Sequence, residues 1–234
     1  MSELPPIDPA PTPGAQLPFT GLPWEGPSAG LGSIFPTALR FIAAPIEAFT
    51  AMSLTVDLVR PIAYFVALAL IGACIGQIWS YLLFDTIIKV VRPLLGSQFE
   101  QFAPFIHKPG AFQLILSLVV TPLVALIALF IWSALVHLML VLFGGANRGF
   151  AATLRVMCYA QTTQLAVVLP GIGGLIAIVW RLILEIAGLA TAHKTEGWKA
   201  ALAIILPLFL CCVCVAAGLA AFGTMLGQAI QQLK

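Results

Sequence analysis

An all-α, polytopic bundle of about five transmembrane helices is the fold this sequence predicts, and three observations carry that expectation. Of 234 residues, 61% are hydrophobic and only 9% are charged, where a water-soluble domain carries roughly 25%. The mean hydropathy is +1.05. Apolar runs such as 61–84, 112–143 and 200–222 are each long enough to cross a hydrocarbon layer of about 30 Å. A soluble fold of this size has no way to hide so much apolar surface behind a polar skin. In lipid that skin is not needed.

The chain opens with residues 1–33, where Pro5, Pro6, Pro9, Pro11, Pro13, Pro18, Pro23 and Pro27 alternate with glycine and small residues. Such a segment buries too little to offset its ordering entropy, so a disordered tail is expected, with Phe19 and Trp24 as stray aromatics. No basic stretch followed by an apolar core marks a cleaved leader after Met1-Ser2-Glu3. The first span is then expected to act as its own insertion signal.

Residues 36–60 change character. Phe41, Ile42, Ile46, Phe49, Met52, Leu54 and Leu58 recur at helical spacing, with Arg40, Glu47, Thr50, Asp57 and Arg60 between them. The pattern predicts an amphipathic helix lying in the membrane interface, bent or started at Pro45. Pro61 suits the first turn of the next helix.

That helix is the first span, 61–84, which carries the small-residue spacing Gly72-x-x-x-Gly76. Residues 85–111 mix Asp85, Lys89, Arg92, Glu100, His107 and Lys108 with apolar groups. They predict a loop with an interfacial helix. The second span, 112–143, is longer than the bilayer requires, so it should tilt or project, and Pro122 can kink it. Gly144-Gly145-Ala146-Asn147-Arg148-Gly149 then breaks the chain.

Two short helices follow, 154–169 and 172–190, joined by a tight turn at Pro170-Gly171-Ile172-Gly173-Gly174. They complete two crossings or form a re-entrant hairpin, and the residues allow both. The last span is 200–222, leaving 224–234 as a short tail. With five spans and a cytoplasmic N-terminus, Arg40, Arg60, Arg148, Arg155, Lys194 and Lys199 face the cytoplasm. Lys89, Arg92, Lys108 and Lys234 face the other side, a small positive-inside bias.

The five cysteines, Cys74, Cys158, Cys211, Cys212 and Cys214, lie in apolar runs and read as small hydrophobes. The net charge of +2 and the scattered basic residues exclude a nucleic-acid face.

The segment Gly149-Phe150-Ala151-Ala152-Thr153-Leu154-Arg155-Val156-Met157-Cys158-Tyr159-Ala160, followed by Leu169-Pro170-Gly171-Ile172-Gly173-Gly174, resembles the YIP1 domain family. Trp180, Glu185, Gly188, Leu189 and His193 occupy positions where that family, especially its bacterial members, shows Trp, Glu, Gly-Leu and a following His. The resemblance covers about residues 40–222. It implies a five-helix membrane domain with a cytoplasmic N-terminus, in a bacterial inner membrane. Eukaryotic relatives are associated with Rab GTPases and vesicle traffic. Their N-terminal Asp-Leu-Tyr-Gly-Pro-like signature is missing from this sequence, so the resemblance does not carry Rab GTPase binding over. Arg181 departs from the small polar residue expected at its position.

Ionisable groups inside a membrane are costly and are functional candidates by default. Arg181 and Glu185 lie four apart and share a helix face. His137, Glu185 and the Tyr159–Gln161 stretch sit at similar depths below three helix ends on one side. One cluster of His137, Tyr159, Gln161, Arg181 and Glu185 in the cytoplasmic half is therefore expected. It would bind a proton, a cation or a lipid headgroup, or else lock helix packing. His137, Glu185 and His193 match no compact metal motif, and no metal or other cofactor is expected. No nucleophile–base pairing suggests catalysis, and no catalytic residue is assigned. Two functions stay open. The chain is a non-enzymatic protein that organises or shapes membrane or recruits partners, or it is a small channel or transporter. Its expected partners are the lipid bilayer and other membrane proteins or itself.

Overall fold

The computed structural model describes residues 21–27, 29–54 and 57–232. Among them, eight α-helices form an all-α bundle: α1 Ile34–Ala43, α2 Pro45–Ala51, α3 Val59–Leu95, α4 Ser97–Phe102, α5 Ala111–Leu142, α6 Phe150–Ala160, α7 Gly173–His193 and α8 Gly197–Gln232. Four of these, α3, α5, α7 and α8, are long and apolar enough to cross a membrane.

Pro61 sits in the first turn of α3, where a missing N–H breaks no helical hydrogen bond. The helix then runs 37 residues, about 55 Å at 1.5 Å per residue. It stops at Gly96, whose φ of 52° few other residues adopt. The loop with an interfacial helix expected at 85–111 is corrected at its start, because α3 continues through Asp85, Lys89 and Arg92 and only the short α4 and its flanks remain as connection. Nothing in that stretch breaks a helix before Gly96, since Pro93 falls in the last turn. Ion pairs of 3.0 Å, Lys108 to Asp85 and Arg92 to Glu100, fold the connection back against it. Gln77 Nε2 donates to Ser117 Oγ at 2.5 Å and links α3 to α5.

The stretch expected as a span at 154–169 is built in two pieces. The 11-residue α6 passes into an eight-residue 3₁₀ segment, Gln161–Val168. Together they extend about 32 Å at 1.5 and 2.0 Å per residue. Only its far end, from Val168, is exposed. Every residue from Ala152 to Thr163 is buried by the surrounding helices. Threonine hydroxyls compete with the regular ladder, and Thr163 Oγ1 donates to the Ala160 carbonyl at 3.0 Å. The chain reverses at Pro170 and Gly171, the latter at φ +77°. Gly173 lets the arms meet there, because a Cβ would stand 2.1 Å from the Ala166 carbonyl oxygen. The arms return to one end, where Asn147 Nδ2 donates to the His193 carbonyl at 3.1 Å.

The N-terminal expectations change most. Residues 1–20 lie outside the described residues, but much of 21–33, expected as tail, is packed into the bundle. Leu22 and Trp24 are core residues. Trp24 Nε1 donates to the Arg60 carbonyl at 2.6 Å, and its ring lies 5.7 Å from Tyr64. The single interfacial helix expected at 36–60 is also corrected. Pro45 splits it into α1 and α2, and the chain leaves the helix at Met52. Thr37, Ala38, Phe41, Ala48 and Phe49 form a buried inner face, with α1 against the Gln161–Val168 segment and Tyr159 of α6, and α2 against α7. At the other terminus α8 continues to Gln232, so the short tail expected at 224–234 is largely helix.

Candidate functional site

The polar residues inside the bundle form three separate groups, not the single cluster expected. Only Gln161, Arg181 and Glu185 come together as foreseen. Arg181 Nε donates to Glu185 Oε1 at 2.7 Å, and Arg181 Nη1 donates to Gln161 Oε1 at 2.7 Å. The i, i+4 spacing on α7 sets the first contact. The second arises because the 3₁₀ segment lies along α7. Trp132 of α5 completes the group, its Nε1 donating to Glu185 Oε2 at 3.3 Å. Glu185 is almost fully buried, whereas the Arg181 side chain is 32% exposed.

His137 stands elsewhere. Its Nδ1 lies 2.9 Å from Thr153 Oγ1, which also lies 2.9 Å from His193 Nε2. The backbone N–H of Arg148 donates to His193 Nδ1 at 3.2 Å. This tautomer-dependent chain ties α5, α6 and α7 together near the Gly144–Gly149 connection. His137 does not reach Glu185 because it stands level with His193, ring centroids 6.0 Å apart, eight residues or about 12 Å farther along α7. Trp132, five residues earlier on α5, holds the face toward Glu185.

Tyr159 belongs to the third group, whose centre is Arg155. The Arg155 side chain is 2% exposed, and Glu25 Oε1 lies 3.7 Å from its Nη1. Tyr159 donates its hydroxyl to Glu25 Oε1 at 2.7 Å, and the Ser53 N–H donates to Glu25 Oε2 at 2.7 Å. Arg155 also donates to the backbone carbonyls of Ser53, at 2.8 Å, and Asp57. A guanidinium with several donors in fixed directions suits such a buried knot better than an ammonium would. Aromatic rings surround it. Tyr159 stacks on Phe41 at 5.1 Å and lies 5.2 Å from Tyr64, whose hydroxyl meets Thr162 Oγ1 at 2.8 Å.

The family-like positions are mostly packing positions. Leu189 and His193 are fully buried. A Cβ on Gly188 would lie 2.6 Å from Val156 Cγ1 and 2.7 Å from Phe49 Cζ, so this glycine lets α2 close on α7. Trp180 has a buried Nε1 with no partner among the described residues.

Sequence reasoning missed Glu25, Arg155, Thr153 and Trp132. Arg155 had one signal, a lone charge inside the apolar run 150–160. Glu25 stood beside Trp24 in a proline-rich stretch, which offers no periodicity to place it.

A cavity of about 420 Å³ opens beside the first group, lined among others by Phe65, Ala128, Trp132, Arg181, Glu185 and Leu208. A second, of about 400 Å³, lies between Ile42 and Trp180. Among the described residues, no group of three His, Cys, Asp or Glu side chains is placed to hold a metal ion.

The family model of the Yip1 domain matches residues 39–219. Nothing among curated proteins or solved structures matches the chain. The match runs from within α1 to within α8 and takes in every polar group described above except Glu25, which precedes it. With four long apolar helices and this match, the chain is an integral, multi-pass membrane protein and belongs to the Yip1 domain family.

Proposed function

We propose that the protein is a non-enzymatic organiser of membrane that wedges one leaflet with its α1–α2 hairpin. The observation that carries this reading is the hairpin's second face. While Phe41 and Phe49 are buried on the bundle, Leu31, Phe35, Leu39, Ile42 and Ile46 point outward and are 43–81% exposed. Phe35, Leu39 and Ile42 follow one another at helical spacing along α1, with Leu31 before it and Ile46 on α2. An apolar face of that size turned away from protein calls for lipid.

The hairpin is fixed to one half of the bundle. Phe49 packs over Gly188, near the His193 end of α7, and Glu25 and Ser53 tie the flanking chain to Arg155. An apolar wedge held rigidly in one leaflet adds area there without matching area opposite, which favours bending. We put the N-terminus in the cytoplasm on the positive-inside bias of the loops, and the protein in a bacterial inner membrane on its resemblance to bacterial members of the family. Single cysteine labels at Gly173 and Glu196 should then react from opposite faces, and a common face for both would remove the five-pass arrangement.

Remodelling of liposomes tests the wedge. The full chain reconstituted into phosphatidylcholine–phosphatidylglycerol liposomes should raise the fraction of narrow tubules and small vesicles seen by electron cryomicroscopy. The triple variant Phe35→Ser, Leu39→Ser, Ile46→Ser should lose most of that effect while keeping its thermal unfolding midpoint. Equal remodelling by the variant would sink the wedge. Dye leakage through the unmodified protein would instead favour the channel reading.

A further inference from the structure

We propose that the cavity between α3, α5, α7 and α8 is a binding site for an uncharged, ring-headed lipid bearing a carbonyl acceptor, the chemistry of a quinone. No residue of α1 or α2 lines this cavity, so the site is independent of the wedge.

The polar end of the cavity is a neutral donor site. Arg181 uses Nε on Glu185 and Nη1 on Gln161, which leaves the N–H groups of Nη2 without an acceptor among the described residues. The side chain is partly exposed and lines the cavity. An unmade hydrogen bond from a guanidinium in an apolar setting is costly, so an acceptor there is strongly favoured. Glu185 already balances the charge of Arg181. A fatty acid or phosphate would bring a second anion beside Glu185, whereas a carbonyl oxygen brings none.

Depth selects further. Arg181 lies eight residues from Gly173 and twelve from His193 on α7, or about 12 and 18 Å from the two helix ends. Phospholipid headgroups and glycerol esters sit at the interface, beyond reach of that level. A neutral head on an apolar tail can rest there. The remaining wall suits a flat ring. Phe65 and Trp132 offer aromatic surface, and Ala125 and Ala128 leave room between them. About 420 Å³ holds one ring and the start of its tail.

The probe is decylubiquinone, titrated into the full chain in dimyristoylphosphatidylcholine nanodiscs and read by quenching of tryptophan fluorescence, since Trp132 lines the cavity. Quenching should saturate. Two variants should each raise the midpoint at least tenfold. Ala128→Phe fills the cavity and leaves the polar group intact. Arg181→Met with Glu185→Met removes donor and counter-charge together. Ala128 lines the cavity but is not packed against neighbours in the core, so its variant keeps the test available if the double variant fails to fold. Decylbenzene, which lacks the carbonyls, and dimyristoylglycerol, which has only ester carbonyls, should not displace the quinone. Quenching that rises linearly without saturation, an unchanged midpoint in Ala128→Phe, or displacement by either competitor would overturn the site.

Discussion

Two buried ion pairs lie within this one bundle, and they are built in opposite ways. Arg181 and Glu185 are neighbours on one helix, joined by the helix's own geometry, with the arginine partly open to the cavity. Arg155 and Glu25 are separated by most of the chain, and both side chains are nearly fully enclosed. The local pair forms wherever α7 forms. The long-range pair forms only if the N-terminal segment finds its place under α6. Burial makes the second far less tolerant, because a charge left alone there has no water to turn to.

Substitutions can break the contrast at its strong end first. Glu25→Ala removes the carboxylate that faces Arg155, Tyr159 and Ser53. It should cost about 3–5 kcal/mol, the usual penalty for stranding one member of a buried pair. SDS-denaturation curves of reconstituted protein read the loss, together with a red shift of Trp24 emission as the segment leaves Tyr64. Glu25→Gln keeps the acceptor and should lose distinctly less. A native-like midpoint for Glu25→Ala would mean that the segment is not anchored through this pair.

The next effect tests the packing that the pair secures. Gly188→Val places methyl groups where Phe49 and Val156 already stand and should cost about 1–3 kcal/mol. Adding Phe49→Ala should recover part of that loss in a double-mutant cycle, because the two changes share one space. Purely additive losses would show that α2 does not close on this glycine.

The smallest effect belongs to the local pair. Glu185→Gln should cost about 1 kcal/mol or less, the combined scale of an i, i+4 pair and one interhelical contact to Trp132, since Arg181 retains Gln161 and partial exposure. A loss as large as that of Glu25→Ala would erase the distinction between the two pairs.

The long apolar runs were legible because bilayer thickness translates directly into residue count. The spans around 61–84, 112–143, 172–190 and 200–222 each fall within one residue of lying inside a long helix. Their ends were less legible. Nothing in lipid-span hydropathy reports that α3 continues to Leu95, because a helix emerging from the membrane stops only at a breaker such as Gly96. Arg181–Glu185 was readable from its spacing of four. The separation of His137 from Glu185 was not, because residue counts from helix ends do not report how facing helices slide and turn against one another. Packing set Trp132 level with Glu185, and His137 with Thr153 and His193.

By itself, then, the sequence determined the solvent this protein needs, its all-α character, the tight turn at Pro170-Gly171 and the one ion pair that a single helix can make. Each is a local property, decided by hydropathy, backbone conformation or helical period. Only the tertiary structure decided that Trp24 and Glu25 belong to the core, that one interfacial helix is a split hairpin with two apolar faces, and that the expected cluster divides into three. Those outcomes depend on which faces meet once the helices pack. A proline-rich segment carries no periodicity from which its place among them is foretold.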